Sequence, residues 1–166
     1  MRDSTYFDAL DRTSGDDAPH FTIRRLQYDD GGQYLELLSE LTVVGNYDLK
    51  KWGDIYLELY RNSELHIFVI CQQGESPDTE TILASGTLLM ERKFIHEGGH
   101  VGHIEDIVVS SKARGHGLGK KIVDYLVEKA ESLGAYKVIL DCKNELQGFY
   151  EKCGFHVAGL SMRHDC

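Results

Sequence analysis

The sequence predicts an α/β fold, a mixed β-sheet flanked by helices in the order β-α-α-β-β-β-α-β-α-β. Three observations carry that reading. The apolar period changes at Leu65 from steps of three and four to alternation. A glycine-punctuated strand-helix-strand unit runs from about residue 100 to residue 140. A chain of 166 residues, 42% hydrophobic with two prolines, fills one core and is short for two.

Residues 1 to 20 are rich in Asp, Ser, Thr, Gly and Pro without periodicity, so a mobile polar leader is expected there and a single domain over 21 to 166. Phe21 to Leu26 alternates as a strand. Asp29 is placed to cap a helix whose Tyr34, Leu35, Leu37, Leu38 and Leu41 keep helical spacing. A break at Gly45-Asn46 precedes a second amphipathic helix over 48 to 62, in which Trp52 reads as core. His66 to Ile70 and Thr81 to Glu91 read as a hairpin around the turn-rich stretch Gly74 to Asp78. His100 to Val109 is a further strand. After Gly119 the helical period runs to Leu133 and stops at Gly134, and Tyr136 to Leu140 forms the next strand. A short helix from Leu146 to Lys152 ends at Gly154, and Phe155 to Ala158 suggests a last strand.

The balance of 27 acidic against 18 basic residues, a formal charge of -9, has the wrong sign for gripping a polyanionic duplex, so no nucleic-acid partner is expected. An acidic chain that takes a phosphorylated ligand must gather its cations locally. Four scattered cysteines without a C-x-x-C pair suit a reduced, cytoplasmic setting better than a disulfide framework. Neither a signal peptide nor a membrane span is expected, since no apolar run is long enough for either.

The cations do gather. In Arg114-Gly115-His116-Gly117-Leu118-Gly119-Lys120-Lys121, three glycines and three cations meet between a strand and a helix. First-turn N–H groups lack helical partners there and favour an anion, and alternate glycines let backbone approach it closely. A P-loop needs glycine where Arg114 stands and Ser or Thr where Lys121 stands, so that reading fails. A dinucleotide fingerprint lacks its third glycine, since Lys120 occupies the position, but Asp141 would suit its ribose-binding acid and the reading stays open on these residues.

Arg114 to Gly119 matches the R/Q-x-x-G-x-G/A motif of the GNAT acetyltransferases, with a strand before it and a helix after it. Phe149 to Phe155, reading Phe-Tyr-Glu-Lys-Cys-Gly-Phe, is similar to that superfamily's second hallmark. Leu41 to Gly45, Glu91 to His96, Gly102 to Ile107, Tyr136-Lys137 and Leu140 to Cys142 resemble its glucosamine 6-phosphate N-acetyltransferases, so the likeness spans roughly Phe21 to Met162.

The resemblance implies acetyl-CoA as co-substrate, no metal, direct acetyl transfer to the amine of glucosamine 6-phosphate in UDP-N-acetylglucosamine synthesis, and a homodimer. It implies that the coenzyme crosses a V-shaped gap between the fourth and fifth strands. Its pantetheine arm would lie on the backbone of Ile107, Val108 and Val109. Its pyrophosphate would lie on Arg114, Gly115, His116, Gly117, Leu118 and Gly119, with Lys120 following. The coenzyme asparagine expected four residues before the family tyrosine is Leu146 here, and Asn144 lies two residues earlier. The resemblance also implies that Thr42, Lys93, Phe94, Ile95, His96, Tyr136 and Lys137 meet the sugar phosphate, with Arg163 standing about two positions from the family's C-terminal arginine.

Transfer to an amine needs a neutral nucleophile, oxyanion stabilisation and release of a thiolate. Asp141, at the end of one gap strand, is the first candidate base, with Glu105 and Asp106 on the neighbouring strand orienting the amine. Tyr150 stands at the family's tyrosine position and would hydrogen-bond the departing sulfur. Because a thiol (pKa about 8.5) is a better acid than tyrosine (about 10), it should assist without being indispensable. Cys142 and Cys153 are read as packing residues. His96, His100 and His103 with Asp106, and His164-Asp165-Cys166, offer metal-ligand residue types, but the spacing of three from His100 to His103 and from His103 to Asp106 turns successive side chains to opposite faces of a strand, and no metal site is expected.

Overall fold

The structure, a computed structural model, describes residues 20–74, 76 and 79–165. Strand β1 (Phe21–Arg25) leads through a 3-10 turn (Tyr28–Asp30) into helices α1 (Gly31–Ser39) and α2 (Leu49–Arg61). Strands β2 (Leu65–Gln73), β3 (Glu80–Arg92) and β4 (His100–Val109) follow, then α3 (Leu118–Ser132), β5 (Ala135–Ile139) and α4 (Gln147–Lys152). The five strands lie in sequence order, antiparallel except for the parallel pair β4–β5. The expected mixed sheet is therefore present.

Local chemistry sets the element starts. Asp48 caps α2 by accepting the Lys51 N–H at 2.7 Å, which satisfies a donor that the helix start cannot. Asp29 does not cap α1. Its neighbour Asp30, buried at 7% exposure, accepts the Gln27 N–H at 2.7 Å and the Arg24 guanidinium at 2.7 and 2.8 Å. Arg24 also holds Glu80 at 2.9 Å, so one bidentate cation ties β1, the entry to α1 and β3 together. Helix α1 ends at Ser39, and Leu41 lies beyond it.

Both faces of the sheet are covered. Along β2, Phe68 and Ile70 pack with Ile122, Val123 and Leu126 of α3, while Val69 and Cys71 pack with Tyr34, Leu37 and Trp52 of α1 and α2. The two-residue period of a strand sends alternate side chains to opposite layers. Trp52 is core as expected, and its Nε1–H donates to the Tyr28 carbonyl at 2.9 Å.

Two expectations are corrected. Phe155 to Ala158 forms no strand. Gly154 turns the chain at φ +88°, Phe155 then packs beside Tyr150, and Val157 is left 67% exposed. Alternation over four residues marks a strand only where an edge accepts it, and among the described residues nothing pairs with the outer edge of β5. Cys142 is exposed and so packs nothing, whereas Cys153 lies against the α3-side core. In the β2–β3 hairpin, Gly74 N–H donates to the Thr79 carbonyl at 2.7 Å, while 75, 77 and 78 lie outside the described residues, as do 1 to 19 of the expected leader. No helix among the described residues is long and apolar enough to cross a membrane.

Candidate active site

The site begins where two parallel strands part. β5 pairs with β4 only from His100 to His103, so β4 from Ile104 to Val109 keeps β3 on one side and an open gap on the other. The register of β3 against β4 jumps at Ser85/Thr87, and Asp106 takes φ +51°. This is a bulge, with Asp106 in a conformation that a non-glycine residue rarely adopts. It reverses the facing of the strand: Ile104 packs on the α3 side, but so does Ile107, three residues on, while Val108 turns to the α1 side.

A cavity of about 480 Å³ lies beyond the bulge. Ile107, Val108 and Val109 form one wall, and Arg114, Gly115, Gly117, Leu118, Gly119 and Lys120 form another. Gly115 and Gly117 take φ +85° and +75°, which glycine adopts without strain. Gly117 is the N-cap of α3, and its carbonyl accepts the Lys121 N–H at 3.0 Å, so the N–H groups of Leu118 to Lys120 precede the first helical bond. Thus the glycine run places helix-start N–H groups without helical partners at a cavity wall, a geometry suited to an anion. Arg114 donates to the Val109 carbonyl at 3.3 Å and pairs with Glu40 at 3.4 Å, and Lys120 is held by Asp124 at 2.6 and 2.8 Å. The His116 ring turns back to the Ala113 and Arg114 carbonyls, each 3.2 Å from Nδ1, and is not among the lining residues.

Tyr150 reaches the same cavity from α4, together with Leu146 and Phe149. Burial, then the neighbouring Cys142 and Cys153, pushes its phenol up from a value already well above neutral, so the O–H is a donor there. Phe149 supports it edge to face at 4.9 Å between ring centroids. Asn144 is exposed and lies outside the lining, while Leu146 is within it.

The three acids converge electrostatically. Burial first, then Asp106 and Asp141, raises the Glu105 carboxyl above its ordinary range. The charges of Asp106 and Asp141 therefore act on the Glu105 carboxyl from its own strand and from the end of β5. Asp141, just beyond β5, accepts the Ser161 hydroxyl at 3.1 Å, a partner that sequence reasoning missed. The side of Asp106 lines a second cavity of about 280 Å³ between α1, α2 and the sheet.

Of the residues implied for the sugar phosphate, a cluster forms around Tyr136. The His96 ring stands 4.2 Å from the Tyr136 ring and Lys137 Nζ 5.7 Å from it. His96 and Glu97 take φ +52° and +57° within the tight turn Ile95–Gly98, and strain of this kind concentrates at functional sites. Lys93 pairs with Glu91, which also takes the His103 ring at 2.9 Å. Phe94, Ile95 and Thr42 are exposed, and Arg163 is engaged by its neighbour Asp165. Among the described residues, no group of three His, Cys, Asp or Glu side chains is placed to hold a metal ion, and Cys166 lies outside them.

Sequence reasoning missed Glu40, Leu41 and Phe149 in the cavity wall. Glu40 had no signal, because its partners Ser110, Ser111 and Arg114 lie 70 to 74 residues away.

Comparison with known proteins places these features. Residues 23–155 match the model of the acetyltransferase (GNAT) family. A probable glucosamine 6-phosphate N-acetyltransferase 2 from Oryza sativa subsp. japonica is 41% identical over 141 residues, 84% of each chain. The glucosamine 6-phosphate N-acetyltransferase of Candida albicans is 40% identical over 144 residues, 86% of this chain and 93% of that one. The crystal structure of glucosamine-6-phosphate N-acetyltransferase from Arabidopsis thaliana superposes with TM-score 0.80 at 38% identity, covering 88% of this chain and 98% of that chain.

Proposed function

The chain belongs to the acetyltransferase (GNAT) family, and from that premise we propose that it transfers the acetyl group of acetyl-CoA to the amine of glucosamine 6-phosphate. The observation that carries the reading is the helix-start cradle of Gly115 to Lys120 opening on a cavity walled by unpaired β4 and Tyr150. Its chemistry fits a diphosphate-bearing thioester: N–H donors and Arg114 for the anion, and strand backbone with apolar side chains for a pantetheine arm. GNAT acetyltransferases use acetyl-CoA, so the dinucleotide reading gives way.

In the reaction the amine nitrogen bonds to the acetyl carbon, the carbon–sulfur bond breaks, and one proton leaves nitrogen as one reaches sulfur. Glu105, Asp106 and Asp141 attract the substrate ammonium and orient it, and it gives one proton to water before attack, leaving the neutral amine. Asp141, exposed at the end of β5 where the acceptor arrives, takes the proton directly or through water. β4 backbone N–H groups beyond His103, which have no β5 partner, donate to the carbonyl oxygen as it gains charge. Tyr150, a phenol whose burial makes it a weaker acid still, hydrogen-bonds the departing sulfur. His96, Tyr136 and Lys137 receive the sugar phosphate.

We also assign residues 21 to 166 to one N-acetyltransferase domain that works as a homodimer. Leu160 and Met162 are each 96% exposed on either side of Ser161, which bonds Asp141 just beyond β5, whose outer edge is unpaired among the described residues, and a second copy would cover both. Free thiols at Cys71, Cys142 and Cys153 suit a cytoplasmic setting.

The test is release of free thiol from acetyl-CoA with glucosamine 6-phosphate, unphosphorylated glucosamine and a panel of other amines. Turnover confined to the phosphorylated sugar is expected. Equal rates with unphosphorylated glucosamine would refute the phosphate site, and silence with every amine would refute an enzyme.

A further inference from the structure

Glu40 is a carboxylate where two kinds of electrostatics oppose one. It caps the C-terminal end of α1, whose exposed carbonyls carry partial negative charge. It also lines the cavity assigned to a coenzyme diphosphate, beside Gly117 and Arg114. An unpartnered carboxylate would be disfavoured on both counts, yet this one is held by three donors, all from the segment that leads into the glycine loop. Its Oε2 accepts the Ser111 N–H at 2.7 Å and pairs with Arg114 Nη2 at 3.4 Å, and its Oε1 accepts the Ser110 hydroxyl at 3.3 Å. The Ser111 N–H first, then the serine hydroxyls and Arg114, hold its carboxyl below the usual range, so it stays charged.

We propose that Glu40 is a positioning residue for coenzyme binding, anchoring the Ser110–Arg114 segment and aiming the Arg114 guanidinium while its own charge limits how tightly the diphosphate is held. The two contributions have opposite signs. Anchoring favours the coenzyme, because Arg114 is 62% exposed and would otherwise spend its time among many rotamers. The charge opposes it, because a carboxylate and a diphosphate share one cation. A residue with both contributions sets an affinity tight enough to load acetyl-CoA and loose enough to release the product coenzyme.

The inference rests on the glycine loop being the diphosphate site, and its test separates the two. Coenzyme A affinity is measured by calorimetry for wild type, Glu40→Gln and Glu40→Ala at low and high salt. The isosteric Glu40→Gln keeps an oxygen for Ser111 and a donor for Ser110 but removes the charge. It should bind about sixfold tighter at low salt, the size expected when one unit charge is removed roughly 8 Å from a doubly charged group in a water-like dielectric. That gain should vanish at about 0.5 M salt, where screening acts within a few ångströms. Glu40→Ala loses the anchor as well and should bind at least about fivefold more weakly than Glu40→Gln at both salts. Equal affinities for the two variants, or weaker binding by Glu40→Gln than by wild type, would overturn the proposal. Failure of wild type itself to bind coenzyme A would instead remove the diphosphate site. Glu40→Gln keeps the test decisive even where Glu40→Ala unfolds.

Discussion

Gly117→Ala isolates the backbone's contribution to coenzyme binding. Gly117 is the N-cap of α3 at φ +75°, ψ 3°, and a β-carbon built there meets nothing within 4 Å. The substitution therefore costs conformational energy rather than a clash, about 1–2 kcal/mol for an L-residue in the left-handed region. If the loop keeps its shape, that cost appears as stability, a fall in melting temperature of about 2–8 °C for a domain of this size. If the loop relaxes to negative φ, the N–H groups of Leu118 to Lys120 leave their common direction. A hydrogen bond to a charged group contributes about 1.5–3 kcal/mol, so coenzyme A affinity should then fall roughly 10- to 150-fold. Calorimetry with coenzyme A, paired with a thermal melt, reads both. Gly32→Ala is the control: it lies in α1 with open space around its β-carbon and no positive φ, and should stabilise the fold by about 0.5–1 kcal/mol without changing affinity. Wild-type affinity and wild-type melting together in Gly117→Ala would refute the reasoning.

Three further outcomes are expected. Asp141→Asn should lower turnover by about 10²–10⁴-fold while coenzyme A affinity, measured separately, changes little; equal losses in both would contradict its role at the amine. Glu105→Gln should raise the melting temperature at neutral pH while lowering turnover. A carboxyl whose folded pKa is raised adds stability only when protonated, and that stability is lost as pH rises through the folded value, so the melting difference should close near pH 4. A difference that stays constant with pH would show that the raised pKa is not its source. Lys137→Ala should raise the Michaelis constant for glucosamine 6-phosphate with coenzyme affinity retained, and an unchanged constant would remove Lys137 from the phosphate site.

Much of the site was legible because its parts are local. Arg114 to Lys120 spells a turn and a helix start in consecutive residues, and the structure gives Gly115 and Gly117 the positive φ that only glycine takes freely. Tyr150 lay within a contiguous hallmark and does reach the cavity. The misreadings share one cause. Phe155 to Ala158 alternates like a strand but has no edge to join, and Cys142, read as a packing residue, faces solvent just beyond β5. Each outcome was decided by what stood across from the residue.

The sequence by itself determined most of the elements and the glycine-rich helix start, since hydrophobic period and glycines act over three or four residues. Only the tertiary structure decided where the strands part, that Asp106 bulges at φ +51°, that burial and then Asp106 and Asp141 raise the Glu105 carboxyl, and that Glu40 reaches the segment leading into the glycine loop from 70 residues away. These depend on through-space distance, which falls as 1/r between charges and is set by packing two layers against one sheet, and no local pattern encodes it.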